Sequence, residues 1–284
     1  MKIAEAISVA NDELVKSGSP SARLDAEVLL SHALKKSRPF LYLDRNQEIE
    51  NAQYESFISY ISRRSKGEPI AYITGEKEFW SLPVKVTRDV LIPRPETELV
   101  VEMALSMLPD RNGRFHMCDI CTGSGNIPMA ILHERPQSTA VVSDISSKAI
   151  MVAKENLARA QGRVTFLEGD LLGPAKEFAP FDLITANPPY ISTRDAALIS
   201  KEVAKFEPHE ALFAGELGLD FIKRIVEDAP DLMNEGGALI IEIGFGQGEV
   251  VRSMLTRSRH LHEIEMVKDL AGIERVAKAV KCKN

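Results

Sequence analysis

Apolar residues recur every three to four positions through the first 70 residues. Ile3, Ala6, Ile7, Ala10 and Leu14 form one stripe, Ala26, Leu29, Leu30, Ala33 and Leu34 a second, and Tyr54, Phe57, Ile58 and Ile61 a third. This spacing puts each set on one face of an α-helix, and a small helical bundle is expected. Gly18, Ser19 and Pro20 punctuate the first two helices; proline suits a helix's first turn. The pattern changes between 76 and 94, where Glu78-Phe-Trp-Ser-Leu-Pro-Val-Lys-Val-Thr87 reads as two short strands about a turn at Ser81–Pro83. Helical spacing returns at Val100, Met103, Ala104, Met107 and Leu108. From 115 onward, strands (115–120, 139–143, 164–167, 181–186, 237–243) alternate with helices (126–134, 146–160, 218–233), and strands at 260–267 and 275–280 close the chain. Such alternation predicts an α/β fold with a mostly parallel sheet between helices. Ligands then bind beyond the carboxyl ends of the strands. The expected division is a helical bundle at 1–74, a β-hairpin linker at 75–95 and an α/β domain at 96–284.

Composition narrows the class. The chain has 284 residues, 44% hydrophobic and 27% charged, which excludes disordered, collagen-like and disulfide-dense proteins. Its longest apolar run, 149–153, is far shorter than a membrane span. The first helix carries Glu5, Asp12 and Glu13 and reads as amphipathic, not as a signal peptide. A cytoplasmic, monomeric protein is expected. The net charge is −6; residues 1–70 are balanced, so the remainder carries the excess. Nothing resembles the basic face that nucleic-acid binding requires. Arg63, Arg64 and Lys66 read as a solvated helix end, and no titratable cluster stands out in the bundle. Cys118 and Cys121 form a C-x-x-C, but zinc needs a second pair and Cys118 sits inside a predicted strand, unlike a thioredoxin-type cysteine. No metal site is expected.

Four motifs carry candidate chemistry. Asp119-Ile-Cys-Thr-Gly-Ser-Gly125 is a strand entering a glycine turn and a helix, where backbone N–H groups can approach a ligand. Cys121, Thr122, Gly123, Ser124 and Gly125 are its cradle. A dinucleotide fingerprint needs a third glycine, and Pro128 stands there. Asp144 follows the next strand, 19 residues beyond Gly125, where a carboxylate accepts from ribose hydroxyls; its competing role is a helix N-cap. Asp170 and Leu171 repeat the arrangement, able to meet an adenine amino group and cover its ring, or simply to cap a turn. Asn187-Pro188-Pro189-Tyr190 ends the following strand. Two prolines fix the backbone and remove two donors. The Asn187 side chain and Pro188 carbonyl then offer two acceptors to a planar –NH2, and Tyr190 offers a flat face.

Together these residues resemble a class I S-adenosyl-L-methionine-dependent methyltransferase acting on a planar nitrogen. Ile92-Pro-Arg-Pro-Glu-Thr-Glu98 looks like the signature of the HemK/PrmC protein-glutamine N5-methyltransferases, as do Phe206-Glu-Pro208 with Ala211-Leu212, Gly218-Leu-Asp220, and Glu242-Ile-Gly244 with Gln247. The resemblance implies a Rossmann-like, mostly parallel seven-stranded sheet behind a helical bundle that grips the substrate. It implies class I peptide chain release factors as protein substrates, methylated on the glutamine of a Gly-Gly-Gln motif, with S-adenosyl-L-methionine bound by the residues above, Asn187 included. Asn187, Pro188, Pro189 and Tyr190 are then the catalytic and substrate-binding residues. A ribosomal-protein glutamine or a nucleic-acid adenine are the alternative acceptors; the acidic charge argues against the second. The family usually has Gly where Cys121 stands and small residues where Asn126 and Pro128 stand, and these departures are expected to tune cofactor affinity.

Overall fold

The computed structural model describes residues 1–160 and 162–283. Gln161 and Asn284, which fall inside the predicted α/β segment, lie outside the described residues. The chain forms two compact units, one of Met1–Glu76 with Ser200–Phe206, the other of Lys77–Ile199 with Glu207–Asn284.

The first unit is helical: α1 (Ile3–Lys16), α2 (Ala22–Leu34), α3 (Arg38–Leu43), α4 (Asn51–Ser65) and α5 (Ile70–Thr74). The predicted stripes form its core, with Ile3, Leu14, Leu29, Leu30, Phe57 and Ile61 almost wholly buried. The expected solvated basic end holds for exposed Lys66 but not for Arg64. Arg64 is 8% exposed, and its guanidinium pairs with Asp25 at 2.7 Å and Glu202 at 3.0 Å and donates to the Glu68 carbonyl at 3.1 Å. Asp25 also accepts from Ser19 and Ser21 hydroxyls at 2.7 and 2.8 Å. Glu27, also buried, accepts from Arg23, Arg38 and Tyr42. The bundle thus holds titratable clusters that its sequence does not announce, because the partners are scattered along the chain. The planar guanidinium fork can serve several acceptors at once, which makes its burial tolerable.

A hairpin follows, β1 (Glu76–Phe79) and β2 (Leu82–Lys85), which belongs to the second unit from Lys77 onward. Its turn is Trp80–Ser81, one residue earlier than expected, both with positive φ. That is the mirror-image turn that matches strand twist; Pro83 therefore lies in β2. Then come α6 (Glu98–Met107), β3 (His116–Ile120), α7 (Asn126–Glu134), β4 (Thr139–Asp144), α8 (Ser147–Asn156), β5 (Val164–Glu168) and β6 (Phe181–Ala186). α9 (Lys201–Phe206) belongs to the first unit; α10 (Asp220–Asp228), β7 (Met233–Glu242), α11 (Gly248–Arg257), β8 (Leu261–Lys268) and β9 (Glu274–Lys281) complete the second. Helices α3, α5, α9 and α11 are additions to the expected set.

The seven-stranded sheet has order β5-β4-β3-β6-β7-β9-β8. Its first five strands are parallel, and β9 runs antiparallel to β7 and β8. Residues 238–242 of β7 are all buried, as strands covered on both faces require, whereas β8 at the edge alternates toward solvent. The chain runs outward through β3, β4 and β5, then returns to place β6 on the other side of β3. That reversal opens the crevice in which open α/β sheets bind ligands.

Candidate active site

A cavity of about 350 Å³ lies across the carboxyl ends of β3, β4, β5 and β6, wholly within the second unit. Its volume is within the range of small-molecule sites. Cys121, Thr122, Gly123, Ser124, Asp144, Asp170, Leu171, Asn187 and Pro189 all reach its wall. Gly125, Pro188 and Tyr190 are not on that wall.

Asp119, the penultimate residue of β3, anchors the floor. It is fully buried and accepts from Thr122 Oγ1 and Thr185 Oγ1, each at 2.6 Å. Burial pushes its carboxyl up to about 7, against the opposing pull of those two hydroxyls. The turn that follows is tight. Cys121 has φ 55° and Gly123 φ 52°, and Gly125 N–H donates to the Thr122 carbonyl at 2.7 Å. A Cβ on Gly123 would meet no protein atom within 4 Å, so the glycine leaves an open face toward the cavity. Gly125 is needed for packing instead, since a Cβ there would stand 3.1 Å from Leu157 and 3.2 Å from Ala153.

Asp144 closes one side. Its Oδ2 accepts from Gly123 N–H at 2.8 Å and its Oδ1 from Ser146 N–H at 2.9 Å. Burial raises its pKa, opposed by those backbone donors. The N-cap of α8 is Ser146, whose hydroxyl accepts from Ala149 N–H, so the competing role for Asp144 is already filled. Each Asp144 oxygen keeps a lone pair for a ligand hydroxyl. Asp170 is half-exposed and pairs with Arg224 of α10 at 2.5 Å. No motif announces Arg224; the pairing spans 54 residues. Leu171 is 5% exposed with φ 49°, its carbonyl held by the Ser143 hydroxyl at 3.0 Å.

The Asn187–Tyr190 turn divides its residues. Asn187 faces the cavity, and its Nδ2 donates to Thr97 Oγ1 at 3.3 Å. Among the described residues no hydrogen bond reaches the Pro188 carbonyl. Tyr190 turns inward, its hydroxyl donating to Glu242 Oε1 at 3.4 Å, and burial raises its phenol pKa. Gln247 ties three loops together. Its Nε2 donates to the carbonyls of Tyr190 and Gly218, both at 3.0 Å, and its Oε1 accepts from Gly244 N–H at 2.8 Å. Arg94, on the cavity wall, pairs with buried Glu207 at 2.6 Å. Local motif reading did not give roles to Arg94, Thr97, Glu207, Glu242 and Gln247. They were visible only as fragments of the family signature.

A seven-stranded sheet of this order, with a cavity across β3–β6 walled by a glycine turn and the aspartate that ends β4, defines a class I methyltransferase fold. A methyltransferase from Pyrococcus furiosus shares it, with a TM-score of 0.52 at 16% identity over 78% of this chain and 98% of that one. Residues 5–75 match the PrmC N-terminal domain, and residues 98–206 the methyltransferase small domain. The chain is 41% identical to a release factor glutamine methyltransferase of Coxiella burnetii over 91% of each chain. It is 40% identical to one of Vibrio cholerae over 96% of this chain and 95% of that one. The chain belongs to the release factor glutamine methyltransferase family.

Proposed function

We propose that the protein transfers a methyl group from S-adenosyl-L-methionine to the side-chain amide nitrogen of a glutamine in class I peptide chain release factors. The acceptor is the glutamine of the Gly-Gly-Gln motif, and the products are N5-methylglutamine and S-adenosyl-L-homocysteine. The observation that carries this reading is that Asn187, Asp144 and the open backbone of Gly123 share one cavity.

The donor set fits the cofactor. Asp144 offers two acceptor oxygens to a ribose diol, Gly123 leaves room for close approach, and Leu171 with Ile127, Ile145 and Phe221 supplies apolar wall. When bound, S-adenosyl-L-methionine supplies an electrophilic methyl group on a sulfonium. The harder half of the problem is the nucleophile, because an amide nitrogen delocalises its lone pair into the carbonyl. Asn187 Oδ1 and the Pro188 carbonyl each accept one hydrogen of the glutamine –NH2. They hold the nitrogen in a single orientation, a contribution of several kcal/mol to the barrier. The same two oxygens stabilise positive charge as it develops on nitrogen, and the proton leaves afterwards to solvent.

The helical unit recognises the body of the release factor in this reading. No helix among the described residues is long and apolar enough to cross a membrane, and a cytoplasmic monomer is the setting we infer. The test is incubation with methyl-labelled cofactor and, in parallel, release factor, ribosomal protein or nucleic acid. Label on the release-factor glutamine is expected, and its loss with Asn187→Ala. Label in either other substrate, or full activity of Asn187→Ala, overturns the reading.

A further inference from the structure

The backbone around Asp170 is firmly held. Gly169 N–H donates to the Asp144 carbonyl at 2.9 Å, Gly173 N–H donates to the Asp170 carbonyl at 3.1 Å, and the Leu171 carbonyl accepts from the Ser143 hydroxyl at 3.0 Å. None of these bonds fixes the Asp170 side chain. It is 49% exposed, and an aspartate surrounded by water has several staggered rotamers open to it. Among the described residues its carboxylate has one hydrogen-bonding partner, the Arg224 guanidinium. Nη2 donates to Oδ2 at 2.5 Å and Nη1 to Oδ1 at 3.4 Å.

Arg224 is itself 46% exposed, and an ion pair this solvated adds little to stability. Its placement gives it another use. Asp170, Leu171 and Phe221 lie on the cavity wall, and Arg224 does not. Phe221 and Arg224 stand three apart in α10 and so share a face of that helix. One helix thus brings an aromatic ring to the cavity and a two-pronged donor to the outer side of the carboxylate. Each carboxylate oxygen has two acceptor positions; the fork takes one on each oxygen and leaves the others for a ligand. We propose that Arg224 is a positioning residue that makes the cavity selective for a 6-aminopurine over a 6-oxopurine. Held from outside the wall, Asp170 keeps an acceptor edge toward the cavity, where an adenine amino group donates to it. A hypoxanthine carbonyl in the same place sets oxygen against oxygen. Without Arg224 the carboxylate turns to solvent and water takes its place. Water donates to a carbonyl as readily as it accepts from an amino group, so the preference is lost. The inference rests on the cofactor assignment above.

The test is binding without turnover. Calorimetry compares S-adenosyl-L-homocysteine with its 6-oxo counterpart, S-inosyl-L-homocysteine, on wild type, Arg224→Ala, Arg224→Lys and Asp170→Asn. Wild type is expected to favour the adenosyl compound by about 10-fold or more, the cost of losing a hydrogen bond to a charged acceptor. Arg224→Ala is expected to bring the two affinities within about 3-fold of each other. Arg224→Lys keeps the charge but not the planar fork, and should lose most of the preference as well. Asp170→Asn, which can turn either amide edge to the base, should show none. An ion pair that merely fastened α10 would lower both affinities together and leave their ratio alone. An unchanged ratio in Arg224→Ala, a full preference in Arg224→Lys, or no preference in wild type would overturn the positioning role. Failure of wild type to bind either compound would refute the cofactor assignment, and the positioning role with it.

Discussion

Gln247 offers the sharpest test of how the site is held together. Replacing it with alanine removes one acceptor and two donors, and with them the ties between Gly244, Tyr190 and Gly218. Each such bond is worth about 1 kcal/mol net. The half-buried groups left behind recover part of that through water, so a loss of about 2–3 kcal/mol is expected. Urea unfolding at pH 8 should show a lower midpoint at an unchanged slope. kcat should fall with it, because the Tyr190 carbonyl anchors the turn that carries Asn187. Glutamate at 247 separates hydrogen bonding from space-filling. It keeps an acceptor for Gly244 N–H, but sets a carboxylate oxygen where Nε2 now meets two carbonyls at 3.0 Å. Stability and kcat should therefore rank wild type above Gln247→Ala, and Gln247→Ala above Gln247→Glu. Were the glutamate variant the better of the two, shape alone would explain the residue and the bonding argument would be wrong.

Asp144→Asn exchanges one acceptor for a donor against Gly123 or Ser146 N–H; cofactor affinity measured by calorimetry should drop by about 1–3 kcal/mol, with kcat at saturation little changed. Arg64→Ala strands buried Asp25 and should destabilise the helical unit by about 3–5 kcal/mol, seen as early loss of helical circular dichroism; a change under 1 kcal/mol would refute the buried-pair account. Glu242 titrates near 7 when folded, against 4.5 for the free side chain. From pH 4.5 to 7 the unfolded chain loses that proton while the folded one keeps it, so stability falls as pH rises through this window and levels off above it. The effect is on the order of 3 kcal/mol, and the drop in urea midpoint between pH 5 and pH 8 should be smaller in Glu242→Gln than in wild type. Cys121→Gly relieves a left-handed conformation that disfavours side chains by roughly 1–2 kcal/mol and opens the turn; cofactor affinity should change, and an unchanged dissociation constant would remove Cys121 from the determinants of binding.

Much of this was legible without coordinates. The helical stripes of 3–14, 26–34 and 54–61, and the strands from 115 to 186, follow from local periodicity, because burial on one face imposes a repeat that the chain carries in its own order. The glycine turn, Asp144 and the Asn-Pro-Pro-Tyr turn were readable for a related reason. Each sits directly after a strand, and the carboxyl ends of parallel strands share one edge of the sheet. What could not be read is what depends on which strand lies beside which. Thr185 reaches Asp119 across 66 residues, Tyr190 reaches Glu242 across 52, and Arg94 reaches Glu207 across 113. The first two pairs meet only because β6 lies between β3 and β7. Arg64 looked like a solvated charge because its partner Asp25 stands 39 residues away on another helix. A sequence shows which side chains want burial or a partner; the fold decides which partner arrives, since a hydrogen bond or ion pair is made by proximity in space and leaves no periodic trace along the chain.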